Sequence, residues 1–516
     1  MSYVPCLRLL LTMWVGRVTI NILPDDVLLH IFLIDGYHHY KDTRFYFKVD
    51  GDEYRVGRLS WRWHRLVHVC PRWRSIVFAS PNYLDLRLVC GPGTPTELTS
   101  IWPPLPIIIT NTFEPYNAMP EDFDFDTAIV HPDRLREIRL FDLTRLHLQG
   151  LASATRMQEQ FPALIHLSLH CADHSAVALP DGFLGVSAPR LQSLVLSSIP
   201  FPALPKLLLS ATDLVHLILY KIPHSGYFSP ETIVTRLAVM PNLDYLTISF
   251  QSPLSRPHRE NRRPPPPIHT VLPALTRIEF KGASEYLEDF VSRIDTPLLD
   301  SIDITFFHQL IFDIPQLAPF MGRSTRFQEL KEAHVRFDYN GIHVETHPPR
   351  RPFSKRLGLG ISCKALDWQL SSLAQVITSF YPSIYMVEHL YIYKPEDLRS
   401  GWQVDFENIQ WLEIFHPFTA VKNLYLPEKF LPSIAAALQE LVGGRTTEVL
   451  PIMQNIFLER LQPSKPIEEG IQKFVAARQL VSQPITISRW QVDSNSITDS
   501  YVDSDSQSRT VSELGD

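Results

Sequence analysis

A six-residue pattern, apolar-x-x-apolar-x-apolar, recurs through most of the chain. It opens at Leu135 (LREIRL), Leu164 (LIHLSL), Leu191 (LQSLVL), Leu214 (LVHLIL), Leu243 (LDYLTI), Leu275 (LTRIEF) and Leu299 (LDSIDI). It continues at Leu330 (LKEAHV), Val387 (VEHLYI), Val421 (VKNLYL) and Met453 (MQNIFL). Openings are roughly 23 to 34 residues apart, except for one gap about twice as long, which a degenerate unit at 357–363 fills. The alternation inside each hexad predicts a short strand with one buried face. The gaps carry helical faces: Leu287, Phe290, Val291 and Ile294; Leu366, Leu370, Leu373 and Ile377; Ile434, Leu438 and Leu441. Proline stands two residues before six hexads, at Pro162, Pro189, Pro241, Pro273, Pro297 and Pro451. A proline there is read as ending the preceding helix and biasing the next residue toward extended geometry. A strand-then-helix unit of this length cannot bury its apolar face alone, so neighbours are expected to stack.

The expected fold class is α/β: a small all-α N-terminal module, then an irregular solenoid of short parallel strands alternating with helices over residues 131–490. Its period overlaps that of leucine-rich repeats. The asparagine usual after such strands is missing from most units, so irregular curvature is expected and a compact α/β fold is the alternative. Residues 82–130, rich in Pro and Thr, read as a strand-rich cap or linker, and residues 1–20 as an N-terminal extension. Residues 491–516, rich in Ser and Asp, read as a disordered tail. Two Pro- and Arg-rich stretches, 252–268 and 347–355, read as extended loops.

Residues 21–81 have a different pattern. Pro24 suits the first position of a helix, where its missing N–H costs nothing. Asp25 and Asp26 then place negative charge on the positive end of the helix dipole. Val27, Leu28, Ile31 and Phe32 follow as one apolar stripe. Leu66, Val67, Val69 and Cys70 form a second face, Pro71 restarts the chain, and Trp73, Ile76 and Val77 form a third. So many bulky apolar groups on a small module point to a surface that meets a partner.

Leu23-Pro24, the acidic pair, the stripe from Val27 to Phe32 and the later Val69-Cys70-x-x-Trp73 resemble an F-box. The rest of the chain is similar to fungal F-box proteins with divergent leucine-rich repeats. The resemblance implies a three-helix module that packs on the Skp-family adaptor, and through it on a cullin, in a cullin–RING ubiquitin ligase. The contacts it implies are Leu23, Pro24, Val27, Leu28, Ile31, Phe32, Leu66, Val69, Cys70 and Trp73. The span at about 33–60, with His38 and His39, is longer than a compact F-box connection and reads as an insertion. The alternative is that these helices only cap the repeat array of an interaction scaffold without ligase association.

A formal net charge of -7 argues against a general nucleic-acid binder. Five scattered cysteines without a Cys-x-x-Cys pair suit a reducing compartment, cytoplasmic or nuclear. No stretch reads as a membrane span. His30, His38, His39 and His64 lack zinc-ligand spacing, and Glu121, Asp122, Asp124 and Asp126 read as a solvated loop. Gly443 and Gly444 read as a helix stop. No nucleotide-binding or nucleophile motif is evident. A non-catalytic adaptor with no metal or cofactor is therefore expected. Its unidentified protein target would meet the exposed strand positions His166, Ser168, Gln192, His216, Asp244, Tyr245 and Thr247.

Overall fold

The computed structural model describes residues 22–40, 45–49, 52–56, 63–91, 104–111, 120–121, 123–172, 177–257, 269–309, 311–312, 314–327, 330–338, 341–347, 357–363, 366–379, 383–393, 408–443, 445–459 and 465–490. The N-terminal extension, the C-terminal tail and most of both Pro- and Arg-rich loops lie outside them. The chain is mixed α/β and divides into two compact units, Met1–Leu219 and Tyr220–Asp516.

The first unit opens with helix α1 (Asp25–Tyr40). The helix runs through the start of the expected insertion, whose remainder contains the antiparallel hairpin β1 (Phe45–Val49) and β2 (Asp52–Val56). Helices α2 (Trp63–Val67) and α3 (Pro71–Ala79) follow, and α1 packs against both. Strands β3 (Leu88–Cys90), β4 (Ile107–Thr110), β5 (Leu135–Leu143), β6 (His166–Cys171) and β7 (Ser193–Ser197) lie side by side, each neighbouring pair parallel. Residues 82–130 thus lend two strands to the same sheet as the first hexads. Helices α4 (Phe125–Ala128), α5 (Arg145–Ser153) and α6 (Leu204–Leu207) fill the connections. Strand β8 (His216–Ile222) carries the chain into the second unit.

There the elements are α7 (Pro230–Leu237), β9 (Tyr245–Phe250), β10 (Thr270–Val271), β11 (Arg277–Gly282), α8 (Ser284–Val291), β12 (Ile294–Asp295), β13 (Ser301–Phe307) and α9 (Leu317–Gly322). They continue with β14 (Glu332–Asp338), β15 (Gly341–His347), β16 (Leu357–Ser362), α10 (Leu366–Ser379), β17 (His389–Tyr393) and α11 (Asn408–Phe415). The last are β18 (Asn423–Leu426), α12 (Leu431–Glu440), β19 (Asn455–Leu458), α13 (Lys465–Leu480) and β20 (Thr486–Arg489). The sheet order is β9-β11-β13-β16-β15-β14-β17-β18-β19-β20. Pairing is parallel except where β15 runs antiparallel to both β14 and β16. That excursion inserts two strands between β13 and β14, and it accounts for the double-length gap between hexads. Helices α10 to α13 pack each on the next.

The hexads have a common geometry. The first, fourth and sixth residues of every one are buried, from Leu135, Ile138 and Leu140 to Met453, Ile456 and Leu458. The fourth and sixth residues share one buried face of the strand, so the third and fifth lie on the opposite, open face. The entry into each strand also repeats. The amides of Gln192 and Ser193 both donate to Ile165 O, those of Thr276 and Arg277 to Asp244 O, and those of Gln454 and Asn455 to Lys422 O, at 2.8 to 3.1 Å.

The prolines act differently from the sequence reading. All six occupy the second position of a turn closed by the hexad's first amide, for example Leu164 N to Phe161 O and Leu191 N to Ala188 O. Proline favours that position because its φ is already set. Leu214 closes the same turn on Ala211 without proline. One helical face also ends early: α8 stops at Val291, and Ile294 is buried from strand β12.

Candidate functional site

The three N-terminal helices split the apolar stripe of α1 in two. Leu28 (0% exposed) and Phe32 (3%) point inward with Val67, Ile76 and Val77. The Phe32 ring packs against Trp73 with centroids 4.7 Å apart and the ring planes tilted by 56°. Val27 (39%), Ile31 (38%) and Ile34 (49%) point out, one to two turns apart. Val69, in the turn between α2 and α3, is 57% exposed, and Pro24 is exposed as well. Leu23, Leu66, Cys70 and Trp73 are half-buried.

Polar contacts fix the frame of these helices. The Cys70 thiol caps α3 by accepting from Trp73 N at 3.5 Å, with Pro71 next in line. Arg72 donates through Nε and Nη2 to one Asp25 oxygen (2.9 and 2.5 Å) and through Nη2 to Leu23 O (2.6 Å). It thereby ties the start of α1 to α3. Trp63 Nε1 donates to Arg87 O at 2.9 Å, joining the helices to the residue before β3. Of the ten residues implied by the F-box resemblance, Leu28 and Phe32 are core of the module, while Pro24, Val27, Ile31 and Val69 form exposed surface.

The open sheet faces are a second candidate surface. In the first unit this face is polar on β5 and β6, where Glu137 and Ser168 are buried. Glu137 pairs with Arg87 (2.6 Å) and Arg139 (2.7 Å), and the Ser168 hydroxyl lies 3.0 Å from His170 Nε2. Burial, aided by the nearby Arg139 and by His216, pushes His166 down to about 3; burial alone does the same to His170. Both therefore stay neutral at ordinary pH. Among the expected target contacts, Gln192 and His216 are exposed, His166, Asp244 and Tyr245 half-buried, and Ser168 and Thr247 buried. Asp244 accepts from Thr276 Oγ1 at 2.5 Å, and Arg277 lies over the Tyr245 ring at 5.3 Å.

The second unit carries an aromatic ladder that the sequence reading did not single out. His334, Tyr391, Tyr425 and Phe457 are register partners on β14, β17, β18 and β19. Their rings stack at 4.7, 4.1 and 4.5 Å in turn. Tyr393 stacks on His334 at 5.3 Å. Burial raises the Tyr391 hydroxyl far above the usual phenol range and that of Tyr393 to about 12. Beside the rings runs a row of polar side chains. His389 Nδ1 lies 3.1 Å from Asn423 Nδ2, Asn455 Nδ2 donates to Asn423 Oδ1 at 2.7 Å, and Thr486 Oγ1 donates to Asn455 Oδ1. A local signal existed: the fifth hexad residue is His334, Tyr391, Tyr425 and Phe457 in the last four hexads. In the earlier ones it is Arg139, Ser168, Val195, Ile218, Thr247, Glu279 and Asp303.

Among the described residues no group of three or more His, Cys, Asp or Glu could hold a metal ion, and no helix is long and apolar enough to cross a membrane. No family model matches the chain, and no curated protein matches it.

Proposed function

We propose that this chain is a substrate-recognition adaptor of a cullin–RING ubiquitin ligase. In this reading the N-terminal helices are an F-box that docks on a Skp-family adaptor, and the hexad strands form a leucine-rich-repeat solenoid whose open face holds a protein target. The observation that carries the reading is the divided stripe of α1. Leu28 and Phe32 build the module, while Val27 and Ile31 on α1, with Val69, are left as exposed apolar surface without a covering element among the described residues. The aromatic and polar ladders of the second unit supply the target surface, because broad stacked rings flanked by hydrogen-bonding groups are typical of interface cores. The mechanism is positional. Tethering a target beside the ligase raises its effective concentration, with no bond chemistry by this chain.

The Trp63-to-Arg87 bond also suits a second reading, in which the helices simply cap the first sheet of an interaction scaffold. Co-purification with a Skp-family adaptor separates the two, run on wild type and on a Val27→Asp, Ile31→Asp, Val69→Asp variant. The adaptor reading expects capture by wild type and none by a variant with unchanged circular dichroism. No capture by folded wild type leaves the scaffold reading.

A further inference from the structure

The aromatic ladder already has an occupant. Trp490, immediately after β20, sits among three tyrosines, with ring centroids 6.0 Å from Tyr391, 5.7 Å from Tyr393 and 5.5 Å from Tyr425. Its interplanar angles of 56°, 72° and 68° set it across the stacked rings instead of continuing their stack. The segment carrying it is short, and Thr486 Oγ1 ties its start to Asn455 Oδ1. Strand β20 is four residues long and, among the described residues, pairs with β19 alone. Backbone bonds from Thr486 N to Gln454 O (2.9 Å) and from Trp490 N to Leu458 O (2.7 Å) mark its two ends. Thr486, Ile487 and Arg489 are exposed, whereas the facing Ile456 and Leu458 of β19 are buried. Upstream the chain is pinned: Ile485 is buried, and buried Arg478 donates to Thr446 O and Leu450 O at 3.0 and 2.8 Å.

These contacts describe a seat and the chemistry it takes. The seat is the edge of β19, which accepts an extended backbone in parallel, together with the tyrosine cluster, which accepts a flat ring. Strand addition supplies affinity through main-chain bonds, and side-chain pockets supply specificity. We infer that this seat takes an extended peptide segment bearing an aromatic side chain, and that residues Thr486–Trp490 are a resident latch which such a segment displaces. The inference rests on reading the open face of the second unit as the target surface and is independent of adaptor docking.

The test uses a labelled synthetic peptide spanning Gln483 to Trp490 (QPITISRW) and the full chain, read by fluorescence anisotropy. The full-length Trp490→Ala variant, with its own ring gone from the seat, is expected to bind the peptide about tenfold more tightly than wild type. A peptide with alanine in place of its tryptophan is expected to lose that binding, as is a chain that also carries Tyr425→Ala. Equal affinity for wild type and Trp490→Ala, no binding to either, or binding indifferent to the peptide's tryptophan overturns the inference. Hydrogen exchange on unaltered wild type is a second measurement. The amides of Thr486 and Trp490 are expected to exchange at least about a hundredfold faster than those of Leu424 and Phe457, because the latch opens without the sheet. Equal protection of all four overturns it. Adaptor capture by the Trp490→Ala chain separately reads the N-terminal surface, so failure of one claim is distinguishable from failure of the other.

Discussion

Residues 31 and 32 are chain neighbours of similar hydrophobicity, and the structure gives them opposite roles. Phe32 is 3% exposed and packs against Trp73 at 4.7 Å; Ile31 is 38% exposed. Replacing Phe32 by alanine removes a buried ring and leaves a cavity beside Trp73, a change that costs about 3–5 kcal/mol. Replacing Ile31 by alanine removes partly solvated surface and is expected to stay within about 0.5 kcal/mol. Hydrogen exchange over residues 25–34 reads both, since the Leu28 amide is bonded to Pro24 O at 3.1 Å and reports opening of α1. A loss of about 3 kcal/mol corresponds to exchange faster by roughly two orders of magnitude, or complete loss of protection if the module is less stable than that. Ile31→Ala is expected to leave the exchange nearly unchanged. If Ile31→Ala accelerates exchange as much as Phe32→Ala, Ile31 is packed inside the module, and the division of the stripe is refuted.

Other outcomes follow from the same geometry. His166 and His170 have folded pKa values near 3 and ordinary unfolded ones, so the unfolded state takes up protons first as pH falls. Their contribution is fully present above about pH 6.5 and lost progressively toward pH 3, by up to about 1.4 kcal/mol per pH unit for each histidine. Urea midpoints at several pH values should therefore fall on acidification, less steeply in a His166→Gln, His170→Gln variant; midpoints that rise contradict the assignment. Asn423→Ala removes the middle of the polar ladder and is expected to destabilise the second unit by about 1–3 kcal/mol in urea unfolding. Arg72→Ala unties Leu23 O and Asp25 from α3, and faster exchange of the Leu28 amide, bonded to Pro24 O, is expected, with α12 unaffected.

The hexads were legible because strand alternation puts the same positions on the same face in every unit, whatever the neighbours. The division of α1 was not. Val27, Leu28, Ile31 and Phe32 are all apolar, so the 3.6-residue period gives one broad stripe, and only Trp73, about forty residues away, selects which half is inside. The prolines were visible, but their mechanism was misassigned: a Pro two residues before a strand suits both a helix end and the second position of a turn, and the Leu164-to-Phe161 type of bond decides for the turn. The antiparallel excursion through β15 and β16 depends on long-range pairing that no local pattern encodes. Ser168 and Thr247 were chosen because they alternate outward, yet both are buried. Ser168 lies 3.0 Å from His170, and Thr247 Oγ1 donates to Glu279 at 3.4 Å, so neighbouring side chains cover the open face there. The seat of Trp490 joins residues about a hundred positions apart, out of reach of any sequence window.

A hydrogen-exchange footprint of the full chain with and without a purified Skp-family adaptor tests adaptor docking on the chain itself. Docking through the N-terminal helices is expected to bring new protection over residues 22–34 and 65–73, with the amides of β17 to β19 unchanged. Protection absent from those segments at saturating adaptor, or appearing instead on the sheet strands, would contradict it.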